Sequence, residues 1–517
     1  MSVPSEHSSD GHNMQSRLRN LYQAHKPEIQ INLHRRRSVY STLDKIEGVA
    51  TIVAPTDTSF DDIEVEFVGT TRTYVERLTT AAAISGKSEA FHQFLKLKQP
   101  RLHEHLPEDR TLKAGQKYEL PFVFVVPQQL LPRICQHKAA NQSLRDTHLQ
   151  LPPSFGDKEA EWKAESVDDM VPEMASIRYG VFARISKDKE EGGDTVKATI
   201  ASKARRVRVV PATQEQPPLI VENDSEYTMR KERTIRKGVL QGKLGTLVVE
   251  ASQPAPMRLQ AHRTGEQQPS MATVVLRFDP VDTKSPPPRL GSMATRLKVC
   301  TYFASTARST FPTKQASLLD LSQGMHSEQI NLSSRCVASV EWTKHDGSKP
   351  VLERRDSGLS ATGSTPTTTT PEPSETYKGK SYYTSKILVP LTLPSTKAFA
   401  PTFHTCLVSR VYQLKLELGL HTAGIGGTID LKVPIQITSH SSGDASPRSG
   451  SIDSNMEMIM DDEYSDYFQS RTIHVPDDAL LGRSRIGVQV VGGGGDDAPP
   501  GYSFYASQTG SLTVPVY

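Results

Sequence analysis

Apolar and polar residues alternate with a period of two along most of this chain. Between Glu28 and about Pro211, Ile63, Val65 and Phe67 alternate with Asp62, Glu64 and Glu66. Ile177, Tyr179, Val181, Ala183 and Ile185 do the same against Arg178, Gly180, Phe182 and Arg184. A strand sends successive side chains to opposite faces, so this pattern predicts sheets with one buried and one wet face. Clusters of Pro, Gly and Asp punctuate the runs, as turns require. A second block runs from about Thr234 to His440. There Leu297, Val299, Thr301 and Phe303 alternate, and Leu414, Leu416, Leu418 and Leu420 face away from Lys415 and Glu417. After a Gly-rich turn come Ile429, Leu431, Val433, Ile435 and Ile437, which predicts a hairpin with one apolar face. Pro434 suits an edge or a bulge in it.

Many strands and few long helical patterns predict an all-β chain of two tandem antiparallel, immunoglobulin-like β-sandwich domains. The first spans 28–211 and the second 234–440, with 212–233 (containing QEQPP) as the link. One segment breaks the pattern. QQLLPRICQHKAANQSLRDTHLQL, between Pro127 and Pro152, reads as a short helix or an irregular crossover.

Three stretches lack the apolar content to offset ordering entropy. They are the polar residues 1–27, the Ser/Thr/Pro tract 345–375 and the tail 441–517. All three are expected to be disordered. The tail holds eleven Asp and Glu, four Arg and no Lys, a balance of 4 − 11 = −7. With +3 overall, the rest of the chain is 3 − (−7) = +10. A basic body with an acidic tail permits contact between them, weakened by screening over about 8–10 Å. Within the tail, 485–491 (RIGVQVV) alternates enough to join a sheet edge, although a free tail is the default expectation.

Composition narrows the class. The 517 residues leave room for two or three domains of roughly 100–200 residues each. Lys plus Arg is 61 and Asp plus Glu is 58, too even to mark a nucleic-acid binder. Cys135, Cys300, Cys336 and Cys406 are far apart, with no C-x-x-C pair. No disulfide scaffold and no zinc ribbon follows from such spacing, and the four read as buried small hydrophobes in a reducing compartment. No metal and no cofactor is expected. The first residues carry no apolar secretory stretch, and no run of about 18 apolar residues exists to span a membrane as a helix.

The most specific short motif is Pro499-Pro500-Gly501-Tyr502, in the context GGGGDDAPPGYSFY. Two prolines preorganise a polyproline II helix, which an aromatic-lined WW domain groove can grip. Tyr502 reaches an adjacent pocket with ring and hydroxyl, and the glycines before it form a flexible tether. The closing Val514-Pro515-Val516-Tyr517 lacks the paired prolines and is no second copy.

The stretch from Leu112 to Pro132, LKAGQKYELPFVFVVPQQLLP, is a Gly turn, a strand carrying Tyr118, Phe122 and Phe124, and a Pro stop. Its wording resembles the arrestin N-terminal domain, with its glycine turn, "PF-x-F" strand and "P…LP" exit. Leu151-Pro152-Pro153-Ser154, the strand from Ile177 to Ile185, and the early pair Glu28 to Leu33 and Ile46 to Pro55 are similar to the same domain. Lys237 to Ala251 and the hairpin from Leu414 to Ile437 resemble the arrestin C-terminal domain. The resemblance spans about 28–440 and is best with the fungal α-arrestins, the arrestin-related trafficking adaptors.

That resemblance implies two arrestin-like lobes, no catalytic activity, and tail motifs that recruit a HECT-type ubiquitin ligase through its WW domains. The lobes would hold cytoplasmic regions of membrane transporters or receptors, and the ligase would ubiquitinate this cargo for endocytosis. The implied location is cytoplasmic, with recruitment to the plasma membrane and endosomes. A Lys-free tail puts any ubiquitin acceptor on the chain itself at or before Lys432. The alternative within the fold is a signalling arrestin that scaffolds a membrane receptor, for example in ambient-pH sensing, without cargo turnover.

Three basic clusters are candidate contacts for anionic lipid headgroups or phosphorylated cargo tails: 34–37, 203–208 with Arg205, Arg206 and Arg208, and 230–237. A solvated, charged strand face is the plainer reading of each. Arg36-Arg37-Ser38 and Arg354-Arg355-Asp356-Ser357 suit a basic-directed kinase, and Ser357, in the Ser/Thr/Pro tract, is the stronger phosphorylation candidate. Enzyme signals are poor. Neither a phosphate-binding G-x-x-x-x-G-K-[ST] nor a nucleophile-elbow G-x-S-x-G occurs. His103-Glu104-His105 lacks the i, i+4 spacing of a helical zinc pair, and Gly424 to Gly427 opens no helix to cradle a phosphate. A β-sandwich glycosidase is the competing class; it needs inward carboxylates about 5–9 Å apart in a cleft.

Overall fold

In a computed structural model, the described residues are 26–34, 39–77, 86–156, 168–191, 194–216, 225–237, 242–259, 270–346, 370–379, 381–421, 427–439 and 503–505. The N-terminal lobe is built from β1 (Glu28–Leu33), β2 (Lys45–Val53), β3 (Thr58–Ser59), β4 (Asp62–Arg77), β5 (Gly86–Lys98), β6 (Thr111–Leu112), β7 (Lys117–Val125), β8 (Ala175–Glu191) and β9 (Asp194–Val207). Their order is β1-β2-β7 in one sheet and β5-β4-β8-β9 in the other, with β3 and β6 as a small pair. All these pairings are antiparallel. Strand β7 shows why the fold forms. Tyr118, Leu120, Phe122 and Phe124 are buried and every residue between them is exposed. Pro121 is tolerated there because β7 is an edge strand and needs no donor on its open side.

The C-terminal lobe contributes β10 (Arg230–Arg236), β11 (Lys243–Ala251), β12 (Met257–Leu259), β13 (Ser270–Pro280), β14 (Arg289–Ala304), β15 (Gln323–Cys336), β16 (Thr343–His345), β17 (Tyr382–Leu391), β18 (Phe403–His404), β19 (Val408–His421), β20 (Gly427–Ile435) and β21 (Ile437–Ser439). One sheet runs β10-β11-β13-β17-β16 and the other β15-β14-β19-β18, with β20 also on β19. The hairpin expected from Leu414 onward is β19 and β20, in register from Tyr412↔Ile435 to Leu420↔Gly427. Pro434 lies in β20, whose one strand partner among the described residues is β19; on its other side only an isolated bridge joins Lys432 to Thr228. The Pro127–Pro152 segment holds a short 3-10 turn, Pro132–Ile134, and helix α1 (Gln142–His148). The Asn141 side chain caps that helix by accepting from the Leu144 N–H at 2.8 Å. A second short helix, α2 (Lys314–Leu319), precedes β15.

Each lobe has its own apolar core, but the two exchange residues. Phe303, Phe403, Leu407 and Val408 of the C-terminal lobe pack in the N-terminal core. Met170 of the N-terminal lobe packs in the other core. Full burial of such side chains is worth roughly 1.5–3 kcal/mol each, so this exchange binds the lobes far more firmly than a polar contact could.

Four expectations need correction. The second face of β4 is not wet: Glu64 is 8% and Glu66 3% exposed. Glu64 pairs with Lys98 at 2.7 Å and with Arg184, and Glu66 pairs with Lys96 at 3.1 Å. Cations from the flanking strands β5 and β8 make that burial tolerable. Cys336, at the end of β15, is exposed, unlike the other three cysteines. The end of the 345–375 tract is anchored. Arg277 Nη1 donates to the Pro371 carbonyl at 3.2 Å, and the Ser374 N–H donates to Asp279 Oδ2 at 2.8 Å. In the tail, Ser503–Tyr505 form β22, which pairs with the edge of β5. The candidate strand 485–491 lies outside the described residues.

Candidate functional site

Strand β5 would otherwise present an open row of backbone donors and acceptors, the kind of edge that recruits an extended peptide. The chain's own tail takes that place antiparallel, with Ser503 opposite Phe91, Phe504 opposite Ala90 and Tyr505 opposite Glu89. Ser503 is the residue that follows Tyr502. Pro499, Pro500 and Tyr502 themselves lie outside the described residues, as does Ser357.

The structure does not gather the basic residues into one pocket. Arg205 and Arg206 lie on β9, opposite Val181 and Gly180 of β8. Adjacent positions on a strand face opposite ways, so these two cannot share one ligand. Both are half-buried and Arg208, just past the strand, is exposed. All three already have partners within the chain. The 230–237 run is committed to the lobe. Lys231 pairs with Asp430 at 2.5 Å, Arg233 Nη1 donates to the Thr428 carbonyl at 2.6 Å, and Arg230 pairs with Glu232 at 2.7 Å. Of the 34–37 cluster only His34 is described.

A buried charged residue missed in the sequence sits between the lobes. Arg410 on β19 is 1% exposed. Its Nη1 donates to the Met170 carbonyl at 3.0 Å and to Thr301 Oγ1, and its Nη2 donates to the Asp169 carbonyl at 2.6 Å. The guanidinium lies 5.1 Å from the Phe155 ring centroid, within cation–π range. Beside it, Lys397 pairs with Asp168, and the Ala398 N–H donates to the Asp168 carbonyl at 2.9 Å. Burial pushes the Asp169 carboxyl above its ordinary range, against hydrogen bonds from the Val171 and Gly156 N–H groups. The N-terminal lobe's 168–170 segment is thus gripped by β19 and by the strand-free stretch between β17 and β18. The signal was present: Arg410 falls in the same phase as Val408, Tyr412 and Leu414, where every neighbour is buried. A cation in an apolar phase marks either a misplaced strand or a buried network, and here it is the network.

This arrangement positions the two lobes and couples them. The carboxylates at the junction are held by Lys397 or by backbone N–H groups, and those on β4 by Lys96, Lys98 and Arg184. No helix among the described residues is long and apolar enough to cross a membrane.

Two family models match the N-terminal lobe. Residues 29–144 match the N-terminal domain of arrestin (or S-antigen), and residues 98–241 match the Bul1 N terminus. No curated protein matches the chain. The overlapping matches cover β1 through β9, the lobe whose strand β7 carries the glycine turn and aromatic alternation. With the two antiparallel β-sandwiches, they support assignment of the chain to the α-arrestins, the arrestin-related trafficking adaptors.

Proposed function

We propose that the protein is a non-enzymatic adaptor that links plasma-membrane cargo to a HECT-type ubiquitin ligase and so promotes cargo ubiquitination and endocytosis. The two lobes hold cytoplasmic regions of transporters or receptors. Pro499, Pro500 and Tyr502 engage the ligase's WW domains. The observation that carries this reading is the Pro-Pro-Gly-Tyr motif on an arrestin body, followed at once by a strand tied to that body. Catalysis then needs only local concentration, because tethering turns ligase encounter with cargo lysines into an intramolecular event. Pairing of Ser503–Tyr505 with β5 competes with capture of Tyr502, so ligase recruitment and tail release are coupled. Arg208, the exposed member of the 203–208 cluster, contributes contact with anionic lipid headgroups or phosphorylated cargo, and Ser357 is a phosphorylation site. The protein works in the cytoplasm and is recruited to the plasma membrane and endosomes.

The test compares wild-type and Tyr502→Ala full-length protein on an array of WW domains and in proximity labelling. Loss of both WW capture and ligase labelling, with cargo labelling retained, is the expected result. Unchanged capture by the variant removes the ligase link.

A further inference from the structure

The irregular crossover of the N-terminal lobe carries Cys135 just after the 3-10 turn, His137 two residues on, and His148 as the last residue of α1. Facing them from the C-terminal lobe is Cys406, in the tight turn between β18 and β19. That turn is fixed by Thr405 Oγ1, which accepts from the Val408 N–H at 2.9 Å. The crossover is fixed too: the Ala140 N–H donates to the Ser309 carbonyl and the Arg308 N–H to the Cys406 carbonyl, at 2.8 and 2.9 Å. Two rigid pieces from different lobes therefore present four side chains to one point.

The four ligand atoms all lie within 4.8 Å of one another. His137 Nε2 is 3.2 Å from Cys135 Sγ and 3.2 Å from Cys406 Sγ, and His148 Nδ1 is 3.7 Å from Cys135 Sγ. A tetrahedral zinc with Zn–S of about 2.3 Å and Zn–N of about 2.0–2.1 Å has edges of roughly 3.3–3.8 Å; the three S···N separations above, 3.2, 3.2 and 3.7 Å, lie at or close to that range. His137 Nδ1 is 3.2 Å from the Lys138 carbonyl. A proton held there leaves Nε2 with its lone pair directed at the two sulfurs, the outer-shell arrangement that orients a ligating imidazole. One lone pair can accept only one S–H, yet two sulfurs converge on it equally. A cation between them satisfies both.

We propose that Cys135, His137, His148 and Cys406 form a structural zinc site that staples the N-terminal lobe to the C-terminal lobe. The donor set is Cys2His2, which selects zinc among common divalent metals and leaves no open position for a substrate. Two thiolates neutralise the dication, so the loaded site carries no net charge into a buried setting where Cys135 and Cys406 are 0% and 2% exposed. The site escapes any local spacing rule because His137 and Cys406 are 269 positions apart.

The test uses the full chain purified without chelator from zinc-replete cells. Elemental analysis should find about one zinc per chain, falling at least ~10-fold in the Cys135→Ser/Cys406→Ser variant. A wild-type arm avoids dependence on the variant's folding. Exchange of the bound metal for Co(II) should give intense visible bands of tetrahedral thiolate-bound cobalt, and chelation should lower the melting temperature. Less than about 0.1 metal per chain with no cobalt spectrum, or a Cys135–Cys406 disulfide in rapidly alkylated protein, overturns the proposal. Full zinc occupancy with no change in melting on chelation overturns the staple.

Discussion

Arg410 Nη2 donates to the main-chain carbonyl of Asp169 at 2.6 Å, so a strand of one lobe holds the backbone of the other. The neighbouring carbonyl of Met170 and the Thr301 hydroxyl take the remaining bonds from Nη1. Truncation at Arg410→Ala leaves two buried carbonyls without their donor and opens a void. A loss of roughly 2–4 kcal/mol in urea unfolding is expected. Arg410→Lys keeps the charge but lacks the fork that reaches both carbonyls, so it should recover only part of that loss. Equal stability of Arg410→Ala and wild type would contradict the reading.

Glu64 on β4 predicts an acid limit. Burial pushes its carboxyl up, but hydrogen bonds and charge from Lys98 and Arg184 outweigh that and hold it at about 2, against an ordinary 4.5. A depressed folded value means the pairing contributes in full above about 4.5 and is lost as the pH falls towards 2. Because Lys98 is largely solvated, its share is discounted. Glu64→Gln should cost about 1–2 kcal/mol at pH 7 and nearly nothing at pH 2, and its unfolding curve against pH should be flatter between those limits than that of wild type.

Gly48 in β2 leaves no room for a side chain. A Cβ there would sit 2.2 Å from the Asn32 carbonyl oxygen and 2.6 Å from Phe122. The oxygen belongs to the paired strand β1, where Leu33 stands opposite Gly48, so it cannot swing away. Gly48→Ala is expected to destabilise by roughly 1–3 kcal/mol, read from chemical denaturation.

Phe504 is opposite Ala90 in the pairing of tail to β5. Phe504→Pro removes the backbone N–H and strains the ladder. Amide exchange at 89–91 of β5 should speed up, and WW capture through Tyr502 should strengthen, with melting of the body unchanged. Identical exchange in both proteins would mean that β22 contributes nothing in solution.

Strand faces were legible wherever one side of a sheet is dry. Tyr118 to Phe124 and Leu414 to Ile437 show their burial directly in their alternation, and Pro434 even marks the edge. Glu64 and Glu66 did not, because period two cannot distinguish a wet face from one whose carboxylates are paired across strands. Lys96, Lys98 and Arg184 supply the difference, and they are remote in sequence. Arg410 was visible only as an exception to phase. The cysteine and histidine cluster was invisible, since Cys406 meets Cys135, His137 and His148 only after both lobes have folded. The 371–375 stretch looked too polar to order, but Arg277 and Asp279 are buried and supply the charged partners that its backbone needs. The motif at Pro499, Pro500 and Tyr502 is read from the sequence alone and lies outside the described residues.

The exchange of Met170 for Phe303, Phe403, Leu407 and Val408 has a consequence for the molecule's mechanical behaviour. Pulling the halves apart would tear a hole in each and bare five apolar side chains to water at once. Such a body has no hinge at its waist. A partner of this body is then met by loops, edges and tails rather than by a cleft that opens between the halves.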